Sequence, residues 1–172
     1  ILSSLVGSEM CIRDSIGSAL LVMAIVGSGI MAESLTNDTA VILLANAVAT
    51  GAALYFLIVS ISDISGAHFN PFVTLAMYLS KKIKSQLLPV YFTAQILGCL
   101  TGVMLANFFF DYSLIELSSK SRSGINVFVS EIIATFGLIF IIFRTIKGGK
   151  VLVATSVATF ITAGYWFTSS TS

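Results

Sequence analysis

The chain has 172 residues, 56% hydrophobic and 10% charged, with a mean hydropathy of +1.00 and a formal net charge of +1. Soluble domains carry about 25% charged residues, so the composition excludes an ordinary soluble fold and points to an integral membrane protein. The near-zero charge gives no footing for nucleic acid, and Cys11 and Cys99 lie too far apart to form a metal motif.

In chain order, residues 1–15 stand apart. Ser4–Ser15, SLVGSEMCIRDS, resembles translated sequencing-adaptor read-through, and the stretch lacks the basic n-region of a signal peptide. It is set aside as a non-native segment, and residues 16–172 are taken as the domain. Ile16–Ala32, Ala40–Ile61, Leu87–Phe110, Ile125–Phe143 and Val151–Phe167 are apolar runs of membrane-crossing length. Pro89 falls in the first turn of the third run, where a missing N–H is cheap. The connections alternate in character. ESLTNDT (33–39) is acidic, Lys81, Lys82 and Lys84 are basic, Asp111–Gly124 is polar, RTIKGGK (144–150) is basic, and the tail runs Thr168 to Ser172. One side would hold Lys81, Lys82, Lys84, Arg144, Lys147 and Lys150, with Arg13 if it is native. The other holds Lys120 and Arg122 against Glu33, Asp38, Asp111 and Glu116. The positive-inside rule then places the KKIK and RTIKGGK loops in the cytoplasm.

Between the second and third spans lies Ser65–Ala76, SGAHFNPFVTLA. Asn70 suits an N-cap, because its side-chain oxygen can accept from amides of the first turn. Pro71 suits the first helical position. The helix they open stops near Ser80 and would be only ~15 Å long, half a bilayer core. The second span ends on the side of the KKIK loop, and the short helix runs back to it. Residues 62–69 must therefore dip into the membrane. Irregular backbone at that depth is tolerated only inside protein or beside water. The helix start would aim about half a positive charge at that water.

At these residues the chain resembles the aquaporin (major intrinsic protein) family, and its aquaglyceroporin-like bacterial members in particular. SGAHFNP followed by VTLA is similar to the family's first half-helix signature. The family's box is Asn-Pro-Ala, and Phe72 stands where the alanine would be, a departure of wider-pore members. The resemblance implies an all-α membrane bundle of six spans and two re-entrant half-helices, built as inverted repeats. Five spans and one half-helix are present; Asp14–Leu21 can be laid on Glu131–Leu138, and carrying Asn70 forward by the same shift passes Ser172. The chain thus reads as C-terminally truncated, before a second half-helix and sixth span.

Function follows from the same resemblance: passive passage of small uncharged polar solutes (glycerol-type solutes, metalloid acids and water), without catalysis, cofactor or metal. Expected partners are those solutes, the lipid bilayer and further copies in a homotetramer, in a bacterial plasma membrane. Asn70, Pro71 and Phe72 form the box, with the Asn70 amide donating to the solute. The resemblance puts filter positions at Thr50 in the second span and Ala163 and Gly164 in the fifth, all small, implying a wide opening. Glu131, within the fourth span, would hold the backbone amides of a re-entrant loop, and Gln95 would do similar work.

Some residues keep two readings. Gly66, Ala67 and His68 either expose carbonyls to the solute or form an ordinary turn. His68, the only histidine, is a satisfied buried group or a pH sensor. Gly98 and Gly102 read as a small-xxx-small helix contact. Tyr165 and Trp166 suit an interfacial belt or the edge of a pore mouth. Other functions remain: a water-selective channel; an ion-coupled secondary transporter, which needs paired carboxylates where Glu131 stands nearly alone; an intramembrane enzyme, for which no Ser/His or Cys/His pair is evident.

Overall fold

The structure is a computed structural model that describes residues 2–116 and 123–168. Lys120, Arg122 and the tail residues Ser169 to Ser172 lie outside the described residues. The helices are α1 (Leu2–Leu35), α2 (Thr39–Ser65), α3 (Pro71–Leu79), α4 (Leu88–Phe109), α5 (Ile125–Thr145) and α6 (Lys150–Phe167). Short 3-10 turns, Ser85–Leu87 and Ile146–Gly148, lead into α4 and α6. Among the described residues 5 helices are long and apolar enough to cross a membrane, and α3 is the short exception. Helix α1 runs without a break through the residues that the sequence set apart.

Local chemistry sets the ends of α2. Asp38 caps its start, accepting from the amides of Ala40 and Val41, and Gly66 closes it in the left-handed conformation with its N–H on the Ser62 carbonyl. Helix α1 packs between α2 and α4, while α6 packs on both α2 and α5. Lipid offers no hydrophobic drive between helices, so close backbone approach must hold these seams. Along α4, Gly98 and Gly102 lie against the Ser15 and Ala19 carbonyls of α1, and a Cβ on either glycine would overlap those oxygens. This is the contact that the small-xxx-small spacing predicts. Gly102→Leu should destabilise the detergent-solubilised protein by about 1–3 kcal/mol or more, since rigid backbone has to move. An unchanged thermal unfolding midpoint would show the seam to be slack.

The inner core forms where α2 and α6 meet: Leu54, Leu57, Ile58, Ala154, Val157 and Ala158 pack with Phe69 from the connection before α3. Helix α5 has no buried residue and shows Phe128, Ile132, Phe136 and Phe140 to its surroundings. The basic loops share one end of the bundle. Lys150 at the start of α6 pairs with Asp63 near the end of α2, and Lys82 sits 5.5 Å over the Phe143 ring of α5.

Candidate solute pathway

The connection between α2 and α3 is strained and heavily tied. Gly66, Ala67 and Phe69 have φ of 79°, 49° and 49°. For the two non-glycine residues this left-handed geometry costs roughly 1–2 kcal/mol each. Five groups hold it. Asp14 Oδ1 accepts from the His68 amide at 2.9 Å and the Phe69 amide at 3.3 Å. Ser65 Oγ accepts from the Ala67 amide at 3.1 Å, and Tyr91 Oη donates to the Ser65 carbonyl at 2.7 Å. The His68 ring stacks on Tyr91 with centroids 5.1 Å apart. The Phe69 ring is buried over Gly17, where a Cβ would overlap it.

Helix α3 then starts as its sequence demands. Asn70 Oδ1 accepts from the amides of Phe72 at 2.7 Å and Val73 at 3.3 Å, with Pro71 in the first turn. Behind this cap lies a buried relay. Gln95 Nε2 donates to Asp14 Oδ2 at 2.6 Å and to Thr74 Oγ1 at 2.9 Å. Thr74 donates to the Asn70 carbonyl at 3.1 Å, and His68 Nδ1 lies 3.2 Å from the same hydroxyl. A hydroxyl has one hydrogen, so with it on Asn70 the imidazole must donate from Nδ1. His68 therefore sits as a buried, hydrogen-bonded group.

In front of the cap lies a cavity of about 510 Å³, walled by α1, α2, the connection, α3, α5 and α6. Of the residues singled out from sequence, Thr50, Gly66, Ala67, His68, Asn70, Glu131 and Gly164 line it. Pro71, Phe72, Ala163 and Gln95 are not in its wall. Phe72 is 61% exposed and Ala163 faces outward, while Gln95 acts on the loop through Asp14 and Thr74. Glu131 borders the cavity from α5, and the bonds to the loop amides described above come from Asp14. Sequence reasoning missed Asp14 because it falls in the segment set aside; the repeat that lays it on Glu131 was the available signal.

Helices α2 and α6 run antiparallel along the cavity. The Asp63–Lys150 pair closes one end of their contact, and Thr50 Oγ1 meets Tyr165 Oη at 3.0 Å toward the other. Roughly 20 Å of helix separates the two pairs, with Asn70 opening on the same cavity. Tyr165 lines the cavity, and Trp166 is 52% exposed.

A polar half-helix cap facing an internal cavity in a bundle of apolar spans narrows the choice of family, and the sequence decides it. Residues 2–167 match the family described as major intrinsic protein. The chain belongs to that family. This major intrinsic protein is 43% identical over 165 residues to aquaglyceroporin AqpS of Rhizobium meliloti (strain 1021), covering 96% of this chain and 71% of that one. It is 32% identical over 145 residues to the probable aquaporin TIP2-2 of Oryza sativa subsp. japonica, covering 81% and 57% respectively. The X-ray structure of the aquaglyceroporin from Plasmodium falciparum superimposes with a TM-score of 0.79 at 22% identity, over 94% of this chain and 73% of that one. That likeness carries the aquaporin-like fold. The protein is a multi-pass membrane protein and a channel, not an enzyme.

Proposed function

We propose that this major intrinsic protein passes small uncharged polar solutes down their gradients, glycerol-type solutes and metalloid acids as well as water. The observation that carries the reading is the Asn70 cap on the cavity. Oδ1 is occupied by two helix amides, so Nδ2 is the part of the side chain that can donate to a solute hydroxyl. The positive end of α3 meets the cavity at the same place, which disfavours cations. Carbonyls of Gly66, Ala67 and His68 complement it as acceptors. Elsewhere the wall is largely apolar, with Leu54, Leu138 and Val157, so a solute is held only at a few polar points. Fast passage needs such weak, spaced sites. The name of AqpS as an aquaglyceroporin supports glycerol over water alone.

The proposed setting is a bacterial plasma membrane, with the KKIK and RTIKGGK loops cytoplasmic because the basic residues of one end would face anionic lipid and the cell interior. The proposed assembly is a homotetramer in lipid, for which the exposed apolar faces of α4 and α5 leave room. Purified protein in liposomes should raise glycerol permeability well above the bare bilayer, without saturation and without dependence on a pH gradient. Stopped-flow light scattering under water, glycerol and arsenite gradients checks this. Fast water with strict exclusion of glycerol would make it a water-selective channel; saturable, pH-driven uptake would make it a transporter.

A further inference from the structure

We propose that the groove between α5 and α6, at the basic end of the bundle, seats one anionic phospholipid: its phosphate on Arg144, an ester carbonyl on the Ser156 hydroxyl and an acyl chain running inward beside Phe160. The proposal needs only these helices in a membrane and is independent of which solute the channel passes. Apart from the solute cavity, the two helices bound an open groove of about 380 Å³, lined by Ile141, Arg144, Thr145, Ser156, Thr159 and Phe160. Its groups are sorted by depth. Helices α5 and α6 form a hairpin joined through Ile146–Gly148, and Arg144 lies in the last turn of α5. Ser156 lies six residues past Lys150, the first residue of α6, or ~9 Å along the helix. Phe160 is one turn deeper, over Gly137 of α5, where a Cβ would overlap its ring. The same ring borders the solute cavity, so it divides the two spaces.

Charge selects the occupant. No acidic residue follows Glu131 in the chain, so Arg144, Lys147 and Lys150 give the hairpin only positive charge. Lys150 is paired with Asp63, whereas Arg144 is in no ion pair among the described residues. Its guanidinium is a planar fork of donors that matches a phosphate, and basic pockets between spans at the membrane surface take anionic headgroups. The hydroxyls supply the second contact. Thr145 and Thr159 donate to the carbonyls of Ile141 and Thr155, each at 2.7 Å. The half-buried Ser156 hydroxyl makes no hydrogen bond among the described residues. A donor facing lipid without a partner is costly, and the ester carbonyls just beneath a phospholipid's phosphate are acceptors at that depth. A soluble anion would satisfy Arg144 and leave Ser156 and the apolar floor at Ile141 and Phe160 bare.

Native mass spectrometry of the full chain in detergent, titrated with phosphatidylglycerol or phosphatidylcholine of the same acyl chains, tests this. One phosphatidylglycerol per chain should bind about fivefold tighter than phosphatidylcholine, the difference made by one basic side chain at a membrane surface. Arg144→Gln should abolish that preference. Ser156→Ala should weaken both lipids about threefold to fivefold, because both carry the same esters. Lys84→Gln removes the same charge from the exposed KKIK loop and should leave the preference as it is. Thermal unfolding checks that each variant is folded, and the comparison of the two lipids on the parent needs no variant. Equal affinity of the parent for both lipids overturns the proposal, as does an equal loss in the Lys84 and Arg144 variants, which would make the attraction diffuse. Displacement of the lipid by excess glycerol 1-phosphate would reduce the groove to an anion site. Disulfide-linked dimers formed by Ser156→Cys in vesicles, and absent in the parent, would place a second copy there. Either result also overturns the proposal.

Discussion

Asp14→Ala is expected to release the connection between α2 and α3 and to cut glycerol permeability more than tenfold. The carboxylate accepts two backbone amides and the Gln95 side chain, all buried. Each donor left without a partner costs about 1–3 kcal/mol. The left-handed residues Ala67 and Phe69 then have less to hold them, and a relaxed loop would carry Asn70 away from the cavity. Asp14→Asn should be much milder. Its carbonyl can keep the two amides, and its NH₂ would face Gln95. Among the described residues the buried Gln95 Oε1 atom has no partner, so a turn of that amide would bring an acceptor to the new donor. Hydrogen exchange at residues 66–70 and liposome flux measure both variants. Full protection and full flux in the alanine variant would show that Asp14 does not hold the loop.

The spans and the half-helix were legible because their causes are local. A run of apolar residues as long as a bilayer is thick leaves few alternatives, and Asn70-Pro71 starts a helix with its own atoms. The seam glycines were legible as small residues at helical spacing, but their partners Ser15 and Ala19 were not, since spacing says nothing about the facing helix. Asp14 was hidden for a different reason. Its bonds reach 54 and 55 residues along the chain, and its neighbours looked foreign by composition. The fifth-span wall turned on one step of helix. Each residue rotates the side chain by about 100°, so Ala163 points out while Gly164, one of the two small residues expected there, and Tyr165 line the cavity. Phe72 shows the same sensitivity: adjacent to the cap in sequence, it is turned away from the cavity by the rotation of α3.

Asn70→Asp separates the two duties of the cap. A carboxylate accepts the amides of Phe72 and Val73 as an amide oxygen does, and a negative charge at a helix start is favourable, so α3 should begin where it does now. What changes is the face toward the cavity: both N–H donors become lone pairs, and the positive end of the helix is offset by a full negative charge. Glycerol loses a donor that it would have to replace with scarce water, and a cation gains a carboxylate at the point where the positive end of α3 had opposed it. Glycerol permeability should fall more than tenfold, and sodium or proton leak should appear in liposomes carrying a pH-sensitive or sodium-sensitive dye. Asn70→Ala removes the donors without adding charge and weakens the helix start by about 1 kcal/mol, so it should lose glycerol flux while still excluding cations. If the aspartate variant passes glycerol and excludes cations as the parent does, Asn70 serves only to start α3, and the solute must be handled elsewhere along the wall.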